Sequence, residues 1–251
     1  MTPEKLTGIV LSSRNIGETD RRIVLLTREK GKISAFARGA VKPRNPLVSS
    51  TQAFTFGEFF VYAQRDSYSL NVVNVIKHFD SFPKDLDKYY YASYMSEVAD
   101  YYTRENLYAG DELLLLFQSY KALEAGTIGN ELVRYIYDWR MLLLTGEYPD
   151  TTCCLRCGNK EKLNFFSAKR HGLLCDECAN ELRGDIVPVL PGTLYTLQYI
   201  LGVKLQKLYT FTLKPEILDN LKSVSKAYLK EVRNVKFNSE SFIDDEGFFK
   251  L

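Results

Sequence analysis

The feature that most constrains this chain is the spacing of its cysteines. Three of the five cysteines lie in "TTCCLRCGNK", residues 151–160, and the other two lie in "LLCDECAN", residues 173–180. Cys154 and Cys157 form one C-x-x-C pair, Cys175 and Cys178 form a second, and 17 residues separate the pairs. Two such turns can place four thiolates at the corners of a tetrahedron, as in structural zinc sites. The spacing therefore predicts a zinc finger over residues 151–183 that holds one structural zinc ion.

Other uses of these cysteines fit the pattern less well. Five is an odd number for disulfides, and a redox C-x-x-C is typically single and close to a βαβ pattern. Four thiolates close the coordination shell, so a catalytic zinc would lack an open position. Cys153 is the spare, because using it would leave three residues between ligands. The intervening hairpin carries Phe165 and Phe166, expected to pack behind the metal. It also carries basic residues that form either a solvated face or a nucleic-acid contact: Lys160, Lys162, Lys169 and Arg170.

Residues 1–80 have the pattern of a small β-barrel. Five short runs rich in Val, Ile, Phe, Tyr and Thr alternate with clusters of Gly, Asn, Pro, Asp and Ser, and no segment of helical length lies between them. Five strands in about 80 residues favour an OB-fold barrel, with an SH3-like barrel as the alternative.

From residue 83 the apolar period becomes helical. Leu86, Tyr90, Tyr94, Val98 and Tyr101 recur at helical spacing, and we interpret this stripe as core rather than as a stacking surface for bases. The predicted fold class is α+β and multidomain, with an OB-fold domain at 1–80. A helical domain follows at 81–150 and 184–251, with the zinc finger inserted at 151–183. The tail from residue 237 is rich in turn-forming residues and is expected to lie loose.

The formal net charge of +2 conceals a strongly basic segment. Between residues 14 and 44, nine basic residues face three acidic ones, so this segment carries +6 and the rest of the chain carries −4. In "GKISAFARGA", residues 31–40, Lys32, Phe36 and Arg38 alternate with apolar residues. Cations for phosphates and an aromatic ring for unstacked bases suit single-stranded nucleic acid. Basic residues on exposed strands also discourage aggregation, which is the alternative interpretation.

The sequence lacks the catalytic motifs of P-loop ATPases, serine hydrolases, DNA ligases and zinc deaminases. The chain has no G-x-x-x-x-G-K-[ST], G-x-S-x-G or K-x-D-G motif, and neither His78 nor His171 precedes a glutamate as in zinc deaminases. The pattern therefore favours a binding protein over an enzyme. No targeting signal or apolar run of about 20 residues is visible, so we expect a cytoplasmic protein without a membrane span.

The segment "NIGETDRRIVLLTREKGKISAFARGAVKPRN", residues 15–45, resembles the opening of the bacterial RecO family of recombination mediators. The family pattern is G-E-x-[DS]-R, an apolar strand, L-x-T-x-x-x-G, and a strand that ends in [KR]-G-[AV] before further basic residues. The matching residues are Gly17, Glu18, Asp20, Arg21, Leu25, Thr27, Gly31, Arg38, Gly39 and Ala40. Val41 delays the next basic residue to Lys42. The order of barrel, helical domain and inserted finger is also similar to that family.

The resemblance implies a role in DNA repair and homologous recombination. Proteins of this family act in the RecFOR pathway: they bind single- and double-stranded DNA, anneal complementary strands and pair with RecR. They also contact the C-terminal tail of single-strand binding protein (SSB), help RecA load, and are associated with the nucleoid. With Phe36 added as the stacking residue, the implied DNA contacts are Arg14, Arg21, Arg22, Lys32, Arg38, Lys42 and Arg44. The alternative is an RNA-binding or transcription-associated protein with an OB fold and a zinc ribbon.

Overall fold

The structure is a computed structural model that describes residues 2–65, 67–182, 184 and 186–244. The chain divides into two compact units. The first unit comprises Met1–Ala125 with Phe237–Leu251, and the second comprises Gly126–Lys236. The predicted domain boundaries at residues 80, 150 and 183 stay predictions.

A closed five-stranded barrel opens the first unit, which confirms the predicted OB-fold barrel. Strand β1 pairs with both β2 and β4, β2 pairs with β3, and β4 pairs with β5, all antiparallel. Strands β3 and β5 close the barrel in parallel. The strands are β1 (Glu4–Ile16), β2 (Asp20–Thr27), β3 (Gly31–Ala37), β4 (Thr55–Ala63) and β5 (Tyr68–His78).

The barrel interior is filled by side chains that point inward at every second position. In β3 the odd-numbered residues from Gly31 to Ala37 are buried, whereas the even-numbered residues are partly exposed. Ile23, Leu25 and Phe59 are completely buried in the same core. Burying an aliphatic side chain of this size stabilises the fold by about 1.5–3 kcal/mol. The alternation leaves the even-numbered side chains of β3 on the outer surface, where a ligand can reach them.

Three helices complete the main body of this unit. They are α1 (Leu47–Ser50), α2 (Leu86–Tyr102) and α3 (Gly110–Ala125). The side chain of Asp85 caps α2 by accepting a hydrogen bond from the backbone N–H of Lys88 at 3.2 Å. Tyr94 and Val98 are completely buried, which confirms the prediction of a core stripe for these positions, whereas Leu86 is exposed.

The chain after residue 236 packs against α2, so the prediction of a loose tail is wrong for residues 237–244. Phe237 is buried with its ring centroid 5.8 Å from that of Tyr94, and Phe242 stacks on Tyr90 at 4.5 Å. The segment forms a short helix, α8 (Glu240–Asp244). Ring contacts between its phenylalanines and the tyrosines of α2 hold the segment in place. The last residues of the tail lie outside the described range.

The second unit combines helices with a small four-stranded sheet. Its helices are α4 (Asn130–Thr145), α5 (Asp176–Glu181), α6 (Pro191–Gly202) and α7 (Pro215–Val232). Its strands, in the sheet order β6-β8-β7-β9, are β6 (Asp150–Cys154), β7 (Phe165–Ser167), β8 (Gly172–Leu174) and β9 (Ile186–Pro188). Every residue from Leu132 to Leu142 of α4 is buried, so this helix forms the centre of the unit.

Buried charges brace that central helix. The Asp138 carboxylate accepts a hydrogen bond from Arg233 Nη2 at 2.8 Å and lies 3.8 Å from Arg134 Nε. Arg140 Nη1 donates to the carbonyls of Ile200 and Leu201 at the C-terminal end of α6, where a cation is favoured. Buried charges of this kind are tolerated only when they are paired. None of the helices in the described ranges combines the length and the apolar character that crossing a bilayer requires.

Candidate metal centre and nucleic-acid interface

Four cysteines of the second unit converge on one point. The Sγ atoms of Cys154, Cys157, Cys175 and Cys178 all lie within 4.8 Å of one another, and those of Cys157 and Cys175 are 3.7 Å apart. Sulfur atoms bound tetrahedrally at about 2.3 Å from zinc lie about 3.8 Å from one another. The two C-x-x-C pairs therefore meet as the sequence predicted, in a geometry that fits a metal ion.

The backbone at the first pair forms a tight turn at the end of β6. The N–H of Cys154 donates to the carbonyl of Asn159 at 2.7 Å, and the N–H of Gly158 donates back to the carbonyl of Cys154 at 2.9 Å. Gly158 has φ +74°, a left-handed conformation that glycine adopts without strain. This turn directs both sulfurs to the same side.

The second pair lies at the start of a helix. Cys175 is the N-cap of α5, and its carbonyl accepts the N–H of Ala179 at 2.9 Å. Cys178 follows within the first turn of the helix. A helix start and a glycine turn are thus the two local structures that bring the four thiols together.

The electrostatics of the cluster require a cation if all four sulfurs are to ionise. Burial would raise the pKa of the Cys154 thiol, but the backbone N–H groups of Cys157, Cys175 and Arg156 lower it to about 6. Burial raises the pKa of Cys178 to about 12, and the neighbouring thiols contribute to this increase. The Cys154 thiolate therefore forms readily, and its negative charge opposes ionisation of the Cys178 thiol. A divalent ion removes that repulsion and deprotonates the set.

The surroundings of the cluster are those of a structural site. Cys153 lies outside it, with its thiol 3.5 Å from Asp150 Oδ2. Phe166 is fully buried and packs edge-on against Trp139 and Tyr228, whereas Phe165 is half-buried. The four basic residues of the hairpin, Lys160, Lys162, Lys169 and Arg170, are exposed.

On the barrel, a row of side chains crosses three strands on the outer face. Arg14 of β1 lies directly opposite Arg22 of β2, and Arg22 lies opposite Phe36 of β3. Phe36 in turn lies opposite Ser69 of β5. We call Arg14, Arg22 and Phe36 the arginine–phenylalanine row. Directly opposed residues have Cβ atoms about 4.5–5.5 Å apart, and like charges at that distance destabilise a sheet. An anion bound between the two arginines would relieve this repulsion.

Three further predicted contacts lie in the loop after β3. Arg38, Lys42 and Arg44 are exposed, and within the described residues they form no salt bridge. The loop is anchored to the β1–β2 turn: Asp20 Oδ1 accepts the N–H of Gly39 at 2.8 Å. That hydrogen bond, assisted by the charges of Arg38 and Lys42, lowers the pKa of Asp20. The loop cations are therefore presented from an ordered anchor next to the β1–β2 turn.

Arg22 of the row makes one side-chain hydrogen bond, from Nε to Ser34 Oγ at 2.7 Å, and the remaining two predicted contacts are engaged more extensively inside the first unit. Arg21 Nη1 donates to the carbonyl of Val48 at 2.7 Å and to Thr51 Oγ1 at 2.9 Å, which ties β2 to α1. Lys32 Nζ donates to the carbonyl of Asp100 at 2.6 Å and lies 3.3 Å from its carboxylate. The structure therefore separates Arg21 and Lys32 from the arginine–phenylalanine row.

One exposed cation escaped the sequence analysis. Arg65 lies in the loop between β4 and β5, and it is exposed. In OB-fold barrels the β1–β2 and β4–β5 loops flank the oligonucleotide-binding face. Counting charges in a window missed Arg65, because it stands alone in the sequence. The signal that could have identified Arg65 is its position between the fourth and fifth predicted strands, where an OB fold has a ligand-facing loop.

These features define a class of protein: a two-unit protein with an OB-fold barrel and a four-cysteine metal-site geometry. The model of the family described as "Recombination protein O N terminal" matches residues 1–79, and that described as "Recombination protein O C terminal" matches residues 83–240. DNA repair protein RecO of Acetivibrio thermocellus is 32% identical over 241 residues, which cover 95% of each chain. DNA repair protein RecO of Bacillus subtilis is 31% identical, over 96% of this chain and 93% of the relative. The chain belongs to the RecO family, as the motif at residues 15–45 indicated.

Proposed function

We propose that this chain is a non-enzymatic mediator of DNA repair and homologous recombination. It binds single- and double-stranded DNA, anneals complementary strands and, together with RecR, helps RecA load onto strands coated with SSB. Its place is the cytoplasm, at the nucleoid, where this DNA lies. Membership of the RecO family supports the role in repair. The observation that carries the DNA-binding part is the opposed pair of Arg14 and Arg22 beside Phe36.

The arginine–phenylalanine row supplies the two interactions that a single strand needs. The guanidinium groups of Arg14 and Arg22 neutralise phosphates, and the ring of Phe36 stacks on an unpaired base. Arg38, Lys42 and Arg44 extend the positive surface along the anchored loop. Phosphate contacts depend on neither sequence nor strandedness, so the same row also binds duplex. We assign Lys32 to support of the barrel, because Asp100 engages its ammonium group. Arg21 ties β2 to α1 and lies on the other side of the β1–β2 ribbon from the row, so it is not part of this surface.

We propose zinc as the ion of the four-cysteine cluster. Four thiolates in tetrahedral arrangement suit Zn²⁺ and leave no open position, so the ion is structural. When bound, zinc supplies the positive charge and the cross-link that hold the two cysteine turns together. Cys154 and Cys157 fix the end of β6, and Cys175 and Cys178 fix the start of α5.

The direct test is strand annealing without a nucleotide cofactor. We expect complementary oligonucleotides to anneal faster with the protein than without it when ATP is absent, because no step of the proposal consumes ATP. Acceleration should fall steeply as salt rises, since phosphate contacts are lost. A strict requirement for ATP would contradict the proposal.

RNA of the same sequence serves as the competing ligand: a preference for RNA would favour the RNA-binding alternative, since such a protein exploits the 2′-OH.

The acidic tail of SSB requires an apolar surface with cations at its edge. In the second unit Tyr195 is 70% exposed and stacks on Tyr199, which packs against Phe211. Lys204 and Lys207 are exposed nearby in sequence, so we propose this region as the tail site. Lys222 on α7 is already paired with Glu131 at 3.1 Å, so we do not include it in the tail site.

A pull-down with SSB tests the tail site. The intact partner should be retained, and the partner without its terminal tail should not. Lys204→Glu with Lys207→Glu should reduce retention about tenfold or more, because two rim charges are reversed. Joint reversal of Lys230 and Lys236, two exposed lysines at and just after the end of α7, is the matched control and should leave retention unchanged. Equal retention of the tail-less partner would contradict the proposal.

A further inference from the structure

The first unit contains a half-open cavity of about 760 Å³ that the arginine–phenylalanine row does not use. Asn15 and Arg21 of the β1–β2 ribbon, Tyr89 of α2 and the exposed carboxylate of Asp80 line it. Gln52, after α1, and His78, at the end of β5, line it as well. This volume lies within the range of about 300–1,000 Å³ typical of small-molecule sites.

Tyr89 offers the cavity a fixed aromatic surface. Its ring is held edge-on by Phe54, with centroids 5.7 Å apart and planes at 86°, and it contacts Tyr90 at 6.0 Å. Phe54 is itself buried, and its ring packs against Phe82 and Tyr120. Despite these contacts, 39% of Tyr89 remains exposed. A positioned ring with an open face is the element on which a planar base stacks.

The polar groups of the cavity include a cation with a donor to spare. Arg21 donates through Nε to Asn15 and through Nη1 to α1, whereas Nη2 makes no hydrogen bond to any described residue. Gln52 donates its amide N–H to the carbonyl of Val48, which leaves its side-chain oxygen to accept. These groups can pair with a phosphate and with the edge of a base.

The strand register relates this cavity to the arginine–phenylalanine row. Arg14 with Arg22 and Asn15 with Arg21 are consecutive pairs of the same antiparallel ribbon. Consecutive residues of a strand point to opposite faces, about 3.3 Å apart along the chain. The row and the cavity therefore occupy the two sides of one ribbon. A flexible single strand can bend around the edge of this ribbon and reach both sides, whereas a stiff duplex of paired and stacked bases cannot.

We propose that this cavity binds one unstacked nucleotide of a DNA single strand. The base lies against the ring of Tyr89, and the phosphate pairs with the Arg21 guanidinium. The inference rests on the proposed DNA-binding function and adds a site that distinguishes single strands from duplex. A base in duplex must first leave its stack, which costs a few kcal/mol. Single strands are therefore the preferred ligand of the cavity.

Photo-crosslinking tests the site in the unaltered protein. A short single strand containing 5-iododeoxyuridine is irradiated with the full chain, and the crosslinked peptide is identified by mass spectrometry. We expect the crosslink at Tyr89. The same strand annealed to its complement should bind without crosslinking there. Free 5-iododeoxyuridine monophosphate is the second arm: if it crosslinks Tyr89 equally well at equal concentration, the ligand is a free nucleotide and the proposal is overturned.

Two substitutions separate stacking from folding. Tyr89→Phe keeps the ring and should retain the affinity for single strands. Tyr89→Leu keeps bulk against Phe54 but lacks the ring, and it should weaken single-strand binding roughly 5- to 150-fold while duplex binding stays unchanged. Tyr108→Leu is the matched control, because Tyr108 is 73% exposed and does not line the cavity.

The outcomes distinguish this inference from the function on which it rests. If the strand binds and its affinity depends on Arg14 and Arg22, but no crosslink reaches Tyr89, the cavity proposal alone fails. If no DNA binds even at low salt, the proposed function fails and the cavity proposal fails with it. If Tyr89→Leu weakens single-strand and duplex binding equally, the cavity does not select unstacked bases.

Discussion

Reversing Arg14 and Arg22 together, as Arg14→Glu with Arg22→Glu, should weaken the binding of single-stranded DNA about a hundredfold near 0.1 M salt. For a single strand, each phosphate contact adds about 0.7 to the steepness of the plot of log affinity against log salt. At 0.1 M salt, relative to 1 M, one contact therefore contributes roughly fivefold in affinity. Losing two contacts costs about 25-fold on this basis, and the two new carboxylates add repulsion. The plot of log affinity against log salt should become shallower by about 1.4, as measured by fluorescence anisotropy.

A matched charge reversal elsewhere on the first unit controls for net charge. Arg28, at the β2–β3 turn, and Lys121, on α3, are both exposed and outside the arginine–phenylalanine row. Their joint replacement by glutamate changes the net charge by the same amount. It should change affinity by less than about threefold, because charges beyond a Debye length of about 10 Å are largely screened. An equal loss of affinity in the two variants would remove the row from the interface.

Because Arg14 and Arg22 lie directly opposite each other, a single substitution should change stability and DNA affinity in opposite directions. Arg14→Glu alone places a glutamate opposite Arg22 and replaces repulsion with attraction. The free energy of unfolding should then rise by about 0.2–1 kcal/mol while DNA affinity falls. Denaturant titration measures the first effect and anisotropy the second. A variant that lost both stability and affinity would show that Arg14 supports the fold rather than the ligand.

Cys178→Ser should reduce the zinc content from the proposed one ion per chain to almost none and unfold the metal region. Structural zinc binding contributes about 10–16 kcal/mol in zinc-finger peptides, which is comparable with the whole stability of a typical domain, about 5–15 kcal/mol. Strands β7 and β8 have only three residues each, so we expect their pairing to depend on the cross-link that holds the two cysteine turns. Native mass spectrometry measures the metal, and hydrogen exchange at Phe166 and Leu173 measures the local unfolding.

The neighbouring Cys153 provides the control for the zinc experiment. Its thiol lies near Asp150 and outside the four-sulfur cluster, so Cys153→Ser should retain one zinc and normal exchange protection. The barrel has a separate core in the first unit, so its own exchange protection should persist in Cys178→Ser. A metal-free chain with full protection at β7 and β8 would contradict the site.

Much of the fold could be predicted because its signals are local. The alternation in β3 places Ile33 and Ala35 inside and Phe36 outside, as the structure shows. The two cysteine pairs converge because a two-residue spacing in a tight turn, or at a helix start, fixes both sulfurs within one short segment. The tail was harder to predict, because Phe242 is positioned by Tyr90, some 150 residues earlier in the chain.

The sequence by itself determined the kind of molecule: a barrel, a helical scaffold, a four-thiol site and a cationic segment. These follow from patterns within a few residues of backbone, which steric rules translate directly into geometry. Only the tertiary structure decided which cations are available. Arg21 and Arg22 are neighbours, yet one holds α1 and the other faces outward, and Lys32 is engaged by Asp100, 68 positions away. Whether a cation is engaged or exposed depends on which distant segments pack together, and local sequence patterns do not contain that information.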